Sequence, residues 1–580
     1  MRLQITICLL LLGCLVFVTC NPIDKNEIPL TEKEWWQTAV FYQIYPRSFK
    51  DSDGDGSGDL KGIQSQLSHI KDLGVTAAWL SPIYTSPQVD GGYDIANFTD
   101  VDPLYGTLED FDNLIAEAKK LGLKIVLDFV PNHSSDKHEW FKKSVKRIDP
   151  YTNYYVWADA KIVNGTRQPP NNWNSYFKFS AWEWNEERGQ YYLHLFAIQQ
   201  PDLNYRDPNL VKEMKDVLRF WMNRGVAGFR VDIISALGED EALPDEPLSG
   251  NCSPDDYCYL NHIYTEDQPL NYDMVVQWRD VLKEHAAATD KVPRVIMTES
   301  YSEIDKTIKY FGNETHDGAC FPFNFYIIMG ISQSSNAQDL KNVVDNYFNK
   351  VPKGRTPNWV LGNHDQHRVA DRVGVKRIDG LNMLTMTLPG VAVTYNGEEF
   401  GQEDGFVTWE ETQDPQAINA GEENYLGATR DPERTPLQWD DSKNAGFSTA
   451  EKTWLPVSQK YKETNLKKQK AEKESHYKVY KDLVKLRQAD ALINGDFSSH
   501  VEGSNVLLIL RKLNNSKLFL TAINFGDIHE EVDLSKIDKI LAENLKIEVS
   551  SVGAAQTQGS IVSNGKLHLH PYESYVLSKN

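Results

Sequence analysis

The apolar and polar positions along the chain fall into repeated pairs, a helical stretch followed by a short apolar run. Leu60, Ile63, Leu67, Ile70 and Leu73 recur at helical spacing and stop at Gly74, and Val75 to Leu80 then reads as a buried strand. The pair returns where Thr107 caps a helix bearing Leu108, Phe111, Leu114, Ile115, Ala118 and Leu121. Gly122 ends that helix, and Lys124 to Val130 is the strand. A third copy opens with Asp207-Pro208, a cap followed by proline at the first helical position. It runs through Met214, Val217, Leu218 and Trp221 to Gly225 and enters the strand Val226 to Asp232. Val295 to Glu299, Trp359 to Gly362 and Val391 to Tyr395 are further expected strands, each preceded by a helical segment. Such alternation over this length predicts an α/β fold, a (β/α)8 TIM barrel.

Two stretches break the rhythm. Residues 133–205 are rich in Trp, Tyr, Asn and Pro without a helical period and read as a subdomain inserted after the third barrel strand; residues 396–470 are irregular as well. From about residue 497 the short apolar runs Val506 to Leu510, Leu518 to Phe525 and Leu567 to Leu577 predict a C-terminal antiparallel β-sandwich. The expected partition is barrel at 34–132 and 206–496, insertion at 133–205 and β domain at 497–580. The first twenty residues stand apart. Arg2 supplies a positive start, Ile5 to Val18 an apolar run too short to span a membrane comfortably, and Val18-Thr19-Cys20 a small-residue cleavage site. A cleaved signal peptide at 1–20 and a secreted or luminal protein are expected. Neither a transmembrane span nor a lipid anchor is expected, the stretch from Tyr575 to Asn580 being polar.

Composition narrows the partners. The 580 residues carry 61 Lys and Arg against 82 Asp and Glu, a formal charge of −21, which argues against a nucleic-acid or anionic-membrane surface. An aromatic content of 11% argues against disorder and leaves rings available for stacking on sugars. Of six cysteines, Cys8, Cys14 and Cys20 fall in the leader. Cys252 and Cys258 lie close together in a Pro/Asp-rich loop and suggest a local disulfide, while Cys320 reads as a buried small hydrophobe. Cysteine and histidine spacing shows no zinc site. Acceptor sequons for N-glycans stand at Asn97, Asn164, Asn251, Asn313 and Asn514; a sixth, at Asn132, lies inside a chemical motif and is expected to stay unmodified.

Barrel enzymes place their chemistry at the C-terminal ends of the strands. Here candidate strands end in Asp232, in Glu299 and, within Gly362-Asn-His-Asp, in Asp365. A lone acid in such a place is ordinarily a solvated loop carboxylate. Three at successive strand ends, each beside His, Arg or Asn, suit hydrolysis of a glycosidic bond: one must be ionised and attack, and another must hold a proton for the leaving oxygen. Arg230, two positions before Asp232, points to the same side of its strand and is expected to keep that carboxylate ionised. A second motif, Asp51-Ser-Asp53-Gly-Asp55-Gly-Ser57-Gly-Asp59, alternates acids with glycines at the turn, oxygen ligands suited to a hard cation such as Ca²⁺.

Asp128-Phe-Val-Pro-Asn-His133, Gly228-Phe-Arg-Val-Asp232, Glu299 and Asn363-His-Asp365 together resemble, in order, the four signature regions of glycoside hydrolase family 13, the α-amylase superfamily. Gln200-Pro-Asp-Leu-Asn204 resembles the marker of its oligo-1,6-glucosidase and α-glucosidase branch. Trp36 with Val40 to Phe49, together with the leader, is most similar to insect-type maltases. The resemblance covers nearly the whole chain after the leader. It implies Asp232 as nucleophile, Glu299 as acid/base and Asp365 as a third carboxylate that binds sugar hydroxyls and favours an oxocarbenium-like transition state. It implies His133 and His364 as hydrogen-bond partners of the sugar, Tyr93 stacked beneath it and Asp90 on its terminal hydroxyls. Arg430 would reach across to Asp90 to close a dead-end pocket, with Phe196 as an aromatic wall. Ca²⁺ would be held by Asp51, Asp53, Asp55, Asp59 and the carbonyl of Ser57, and no organic cofactor is implied. Ile233 is larger than the Ala, Val or Thr that the branch often carries facing the leaving-group sugar, so preference among α-1,4, α-1,6 and sucrose-type linkages stays open.

The expected activity is that of an exo-acting, retaining α-glucosidase that releases glucose from maltose and short maltooligosaccharides, with sucrose as a further candidate. A glucosyl-transferring or isomerising relative is the alternative of the same class. A non-catalytic barrel serving as a transporter heavy chain or surface receptor is the alternative of another, and the presence of all three acids favours the enzyme.

Overall fold

The computed structural model describes residues 33–579; the expected leader at 1–20, with Cys8, Cys14 and Cys20, lies outside the described residues. Eight parallel strands make one sheet: β1 Val40–Ile44, β2 Ala77–Leu80, β3 Lys124–Phe129, β4 Gly228–Val231, β5 Val295–Thr298, β6 Phe321–Pro322, β7 Asn358–Val360 and β8 Val391–Tyr395. Their order is β6-β5-β4-β3-β2-β1-β8-β7, the ring of a (β/α)8 barrel. The two end strands, β6 and β7, are joined by side chains instead of a ladder. Asn324 Nδ2 donates to the Asn358 carbonyl at 3.0 Å, and Asn358 Nδ2 donates to the Pro322 carbonyl at 2.6 Å. Asn358 Oδ1 accepts from the Asn324 amide at 2.9 Å. Amide side chains take this role because β6 is two residues long and Pro322 has no N–H to give.

Those two features also explain where the pattern along the chain falls short. β1 is buried at all five positions, so it shows no alternation, and β6 is too short to carry any period. The helix expected over Leu60 to Leu73 is two, Leu60–Ser65 and Leu67–Leu73, which part at Gln66 and yet bury one continuous face. Its stop at Gly74 is a left-handed cap, φ +82°. Thr107 and Asp110 form a reciprocal capping box on Leu108–Lys120, and Asp207 accepts from the amides of Asn209 and Leu210 at the head of Pro208–Asn223.

Between β3 and β4 the chain builds a three-stranded antiparallel sheet of Trp157–Ala158, Gln190–Leu193 and Trp182–Asn185 around its own core of Trp173, Trp182, Leu193 and Leu195. A bridge between His133 and Asp202 ties the start of this insertion to its end, beside β3.

After the barrel comes an antiparallel sheet of β9 Asp496–Glu502, β10 Val506–Lys512, β11 Leu518–Asn524, β12 Leu545–Ser550, β13 Ile561–Val562 and β14 Ser574–Lys579, in the order β9-β10-β11-β14-β12-β13. Strand β10 is covered on both faces. Val506, Leu508 and Leu510 join Val532, Leu567 and Leu569 of a second, two-stranded ladder, whereas Leu507 and Ile509 pack with Leu340, Val344, Leu381 and Leu384 of two barrel helices. One of those helices, Ile378–Thr387, is buried at every position. Two buried arginines satisfy the carbonyls at its C-terminal end: Arg487 Nη1 donates to Met386 O at 2.8 Å and Arg511 Nη1 to Thr387 O at 2.6 Å.

Candidate active site

The strand ends deliver the acids to one place. The ladder continues one step past β4 and β5, Asp232 N donating to Phe129 O at 2.8 Å and Glu299 N to Val231 O at 2.9 Å, so both carboxylates leave the barrel from fixed backbone. Asp365 follows β7. A cavity of about 310 Å³ opens above them, and Asp232, Glu299, Asp365, Asp90, Tyr93, His133, Phe196, His364 and Arg430 all line it.

Arg230 is the buried hub of the floor. Its Nη1 lies 2.8 Å from Asp128 Oδ1 and 2.6 Å from Asp232 Oδ1, and its Nη2 pairs with Glu299 Oε2. Arg230 was expected to keep Asp232 ionised, and its pull on that acid is divided. One guanidinium is shared by three carboxylates, and burial outweighs it: Asp232 and Glu299 are both pushed up from the ordinary carboxylate range, with Arg230 opposing the rise in each. Burial likewise raises Asp128, to about 6, against the pull of Arg230. The Asp232–Glu299 pair therefore titrates as a unit and retains a proton at a pH where an isolated acid would have lost it. The backbone distinguishes the two members. Ile233 is held at φ +31°, a left-handed conformation that a β-branched residue adopts at a cost of about 1–3 kcal/mol, and its N–H donates to Glu299 Oε2 at 3.0 Å.

Asp365 meets the opposite balance. Burial would raise it, but the guanidiniums of Arg434 and Arg430 hold it well below the usual carboxylate range. Arg434 Nη2 stands 2.8 Å and Arg430 Nη1 3.3 Å from Asp365 Oδ1. Arg430 also reaches Asp90 at 2.9 Å and Asp414 at 2.6 Å, so the Asp90–Arg430 wall is present and Asp414 backs it. Gln200, from the branch-marker motif, donates to Asp90 Oδ2 at 3.1 Å and lies 3.0 Å from His133 Nε2.

Both histidines are kept neutral. Burial lowers His133 to about 4 and holds His364 well below its ordinary value. His364 is gripped from two sides, by Gln43 at 2.8 Å and by the Tyr93 hydroxyl at 2.7 Å, and the Tyr93 ring stacks on it at 5.4 Å and 7°. Phe196 stacks on Tyr176 at 4.9 Å, and Tyr257 also stacks on Tyr176 at 3.9 Å. Glu266 accepts from the hydroxyls of Tyr176 and Tyr257 at 2.6 and 2.7 Å. The Cys252–Cys258 disulfide forms, with Cα atoms 5.8 Å apart, and ends directly after Tyr257. Cys320 is buried.

Sequence reasoning missed Asp414, Arg434, Gln43, Tyr176 and Glu266. Gln43 and Arg434 lie far along the chain from His364 and Asp365, and Asp414, Tyr176 and Glu266 stand in irregular stretches, so the folded geometry reveals them.

The acidic loop brings Asp51, Asp53 and Asp59 together, one oxygen of each within 4.8 Å of the others. Gly54 and Gly56 turn the loop at φ +84° and +98°, and a Cβ at Gly56 would meet the Lys452 carbonyl at 2.4 Å. Asp55 Oδ1 accepts from the Ser57 amide within the loop at 2.7 Å, and Asp55 is raised by burial and by the neighbouring acids Asp53, Asp51 and Asp59. Crowded carboxylates of this kind fit a hard cation. The five sequons Asn97, Asn164, Asn251, Asn313 and Asn514 are exposed, whereas Asn132 is buried with its amide donating to Ala236 O at 2.6 Å.

A parallel barrel with paired acids at adjoining strand ends, at the bottom of a polar and aromatic pocket, is the architecture of a glycoside hydrolase. A model of the α-amylase catalytic domain matches residues 43–495. Maltase 1 of Drosophila virilis is 49% identical over 98% of this chain and 91% of its own length, and the salivary α-glucosidase of Aedes aegypti is 46% identical over 90% and 91%. The crystal structure of XgtA, an α-glucosyl transfer enzyme, superposes with a TM-score of 0.82 at 32% identity, over 95% of this chain and all of that one. The chain belongs to the α-amylase family of glycoside hydrolases.

Proposed function

We propose that the chain is an exo-acting, retaining α-glucosidase that removes one glucose from the non-reducing end of maltose and short maltooligosaccharides. The observation that carries this is the pairing of Asp232 and Glu299 on one guanidinium, beneath a pocket walled by Asp90, Arg430 and Asp414. Pairing with one guanidinium holds the two acids as neighbours, the arrangement that a double displacement with carboxyls roughly 5 Å apart calls for. Asp232 attacks the anomeric carbon while Glu299 gives its proton to the glycosidic oxygen, which leaves with the bonding electrons. Glu299, now ionised, takes a proton from water, and the resulting hydroxide displaces Asp232. Asp365, held ionised, binds hydroxyls and favours the positive charge that develops on the ring. His133 and His364, both neutral, line the pocket without a competing charge, their ring nitrogens paired with Asn132, Gln200, Gln43 and Tyr93. The Asp90–Arg430 wall limits the enzyme to chain ends.

Ca²⁺ fits the Asp51–Asp59 loop, with Asp51, Asp53, Asp55, Asp59 and the Ser57 carbonyl as its ligands and a structural role. Secretion, with cleavage of residues 1–20 and glycans at the five exposed sequons, belongs to the same reading and is supported by the salivary relative. So does the partition into barrel, insertion at 133–205 and β domain from 497. The decisive experiment follows glucose release from maltose by NMR. The native chain is expected to liberate the α-anomer first, and Asp232→Asn to be inactive; equal rates, or β-glucose first, would reject the mechanism.

A further inference from the structure

We propose that His367, Asp404 and Glu433 form a separate metal site that takes a divalent transition ion of the zinc type. They come from three different segments: the loop after β7, the loop after β8 and the short helix Asp431–Arg434. His367 Nδ1 lies 2.7 Å from Asp404 Oδ2 and 3.6 Å from Glu433 Oε2, and the three donor atoms are all within 4.8 Å of one another. Ligands about 2.0–2.2 Å from a zinc ion are themselves roughly 3–3.5 Å apart, so one imidazole nitrogen and two carboxylate oxygens already stand close to the face of a coordination shell.

A second observation points to a ligand. The Glu433 side chain is only 1% exposed, and its Oε2 has no hydrogen-bond partner among the described residues although it faces His367. A buried carboxylate oxygen left without a partner is costly, and a cation at this point would satisfy it. The other donors are held in place by their surroundings. Asp404 Oδ1 accepts from the Arg368 amide at 2.9 Å and Asp404 N donates to Asp371 Oδ2 at 2.7 Å, which leaves Oδ2 turned toward His367. Arg372 Nε holds the His367 carbonyl at 2.8 Å, and the Tyr395 hydroxyl holds that of Glu433 at 3.0 Å.

The side chain of His367 is half exposed, which gives an ion a path in and water room to complete its shell. Ca²⁺ prefers all-oxygen shells, whereas an imidazole donor favours the zinc side of the series, so this cluster differs in kind from the Asp51–Asp59 loop. An ion here would pin the segment bearing Arg430 and Arg434 to the loop bearing Asp365, bracing the rim of the pocket from outside it.

Titration calorimetry of the full chain with ZnCl2, in saturating Ca²⁺, tests the site. One Zn²⁺ per chain is expected. Glu433→Gln and His367→Ala should each weaken its binding by at least about a hundredfold, while His568→Ala, a control at an exposed histidine, leaves it unchanged. No zinc binding by the native chain, or undiminished binding by both variants, overturns the proposal. Should a variant fail to fold, anomalous scattering from a zinc-soaked native crystal decides: a peak among the three side chains upholds the site and its absence removes it.

Discussion

Two clusters of buried charge share the pocket and are balanced differently. Around Arg230 a single guanidinium serves Asp128, Asp232 and Glu299; on the facing wall Arg430 and Arg434 together serve Asp90, Asp365 and Asp414. The first cluster holds its acids up and the second holds Asp365 and Asp414 down, although burial pushes every one of them in the same direction. The ratio of guanidinium to carboxylate thus decides where a proton can reside. The first cluster thus keeps a proton within the Asp232–Glu299 pair, and the second keeps a fixed negative charge on Asp365.

The comparison can be attacked at several points. Removing the proposed nucleophile should have the largest effect: Asp232→Asn is expected to lower kcat by about 10⁴-fold or more, measured by single-turnover release of a chromogenic α-glucoside. Next, Arg430→Met breaks the second cluster. With charge-assisted bonds to Asp90 and Asp365 lost, kcat/KM for maltose should fall by roughly 10–100-fold, mostly through KM, and an unchanged KM would refute the wall as a substrate contact. Asp128→Asn relieves the first cluster of one negative charge. In the proposed mechanism Glu299 acts protonated, so activity should be lost as pH rises through its elevated value. Deleting the Asp128 charge leaves more of Arg230 for the pair, lowers that value and should move the alkaline limb of the kcat profile to lower pH; a shift upward would contradict the balance. The smallest effect belongs outside both clusters. Replacing Cys252 and Cys258 by alanine frees the turn that carries Tyr257 and should cost at most about 2 kcal/mol of stability by chemical denaturation, with a few-fold rise in maltose KM.

The sequence carried the acids but not the balance between them. Asp232, Glu299 and Asp365 were legible because each ends an apolar run or sits in a tight local motif, and His133, His364 and Tyr93 travel in the same short segments. Asp414 and Arg434 were not, since an Arg or Asp in an irregular stretch looks like any solvated residue until the fold buries it. The barrel strands show the same division: β3, β4, β5 and β8 are buried runs that follow a helical stretch, while β1 has no helical repeat before it and β6 is two residues long. The sharing of Arg230 among three acids depends on β3, β4 and β5 lying side by side, which is a property of strand order.

The two-faced strand β10 has a consequence for anyone who would shorten or recombine this protein. Cutting the chain after residue 496 would strip Leu507 and Ile509 from Leu381 and Leu384, and each large aliphatic side chain left facing water forfeits about 1.5–3 kcal/mol. The terminal sheet is therefore part of the catalytic barrel's outer wall, and a replacement taken from a relative must match its neighbour as well as its own interior.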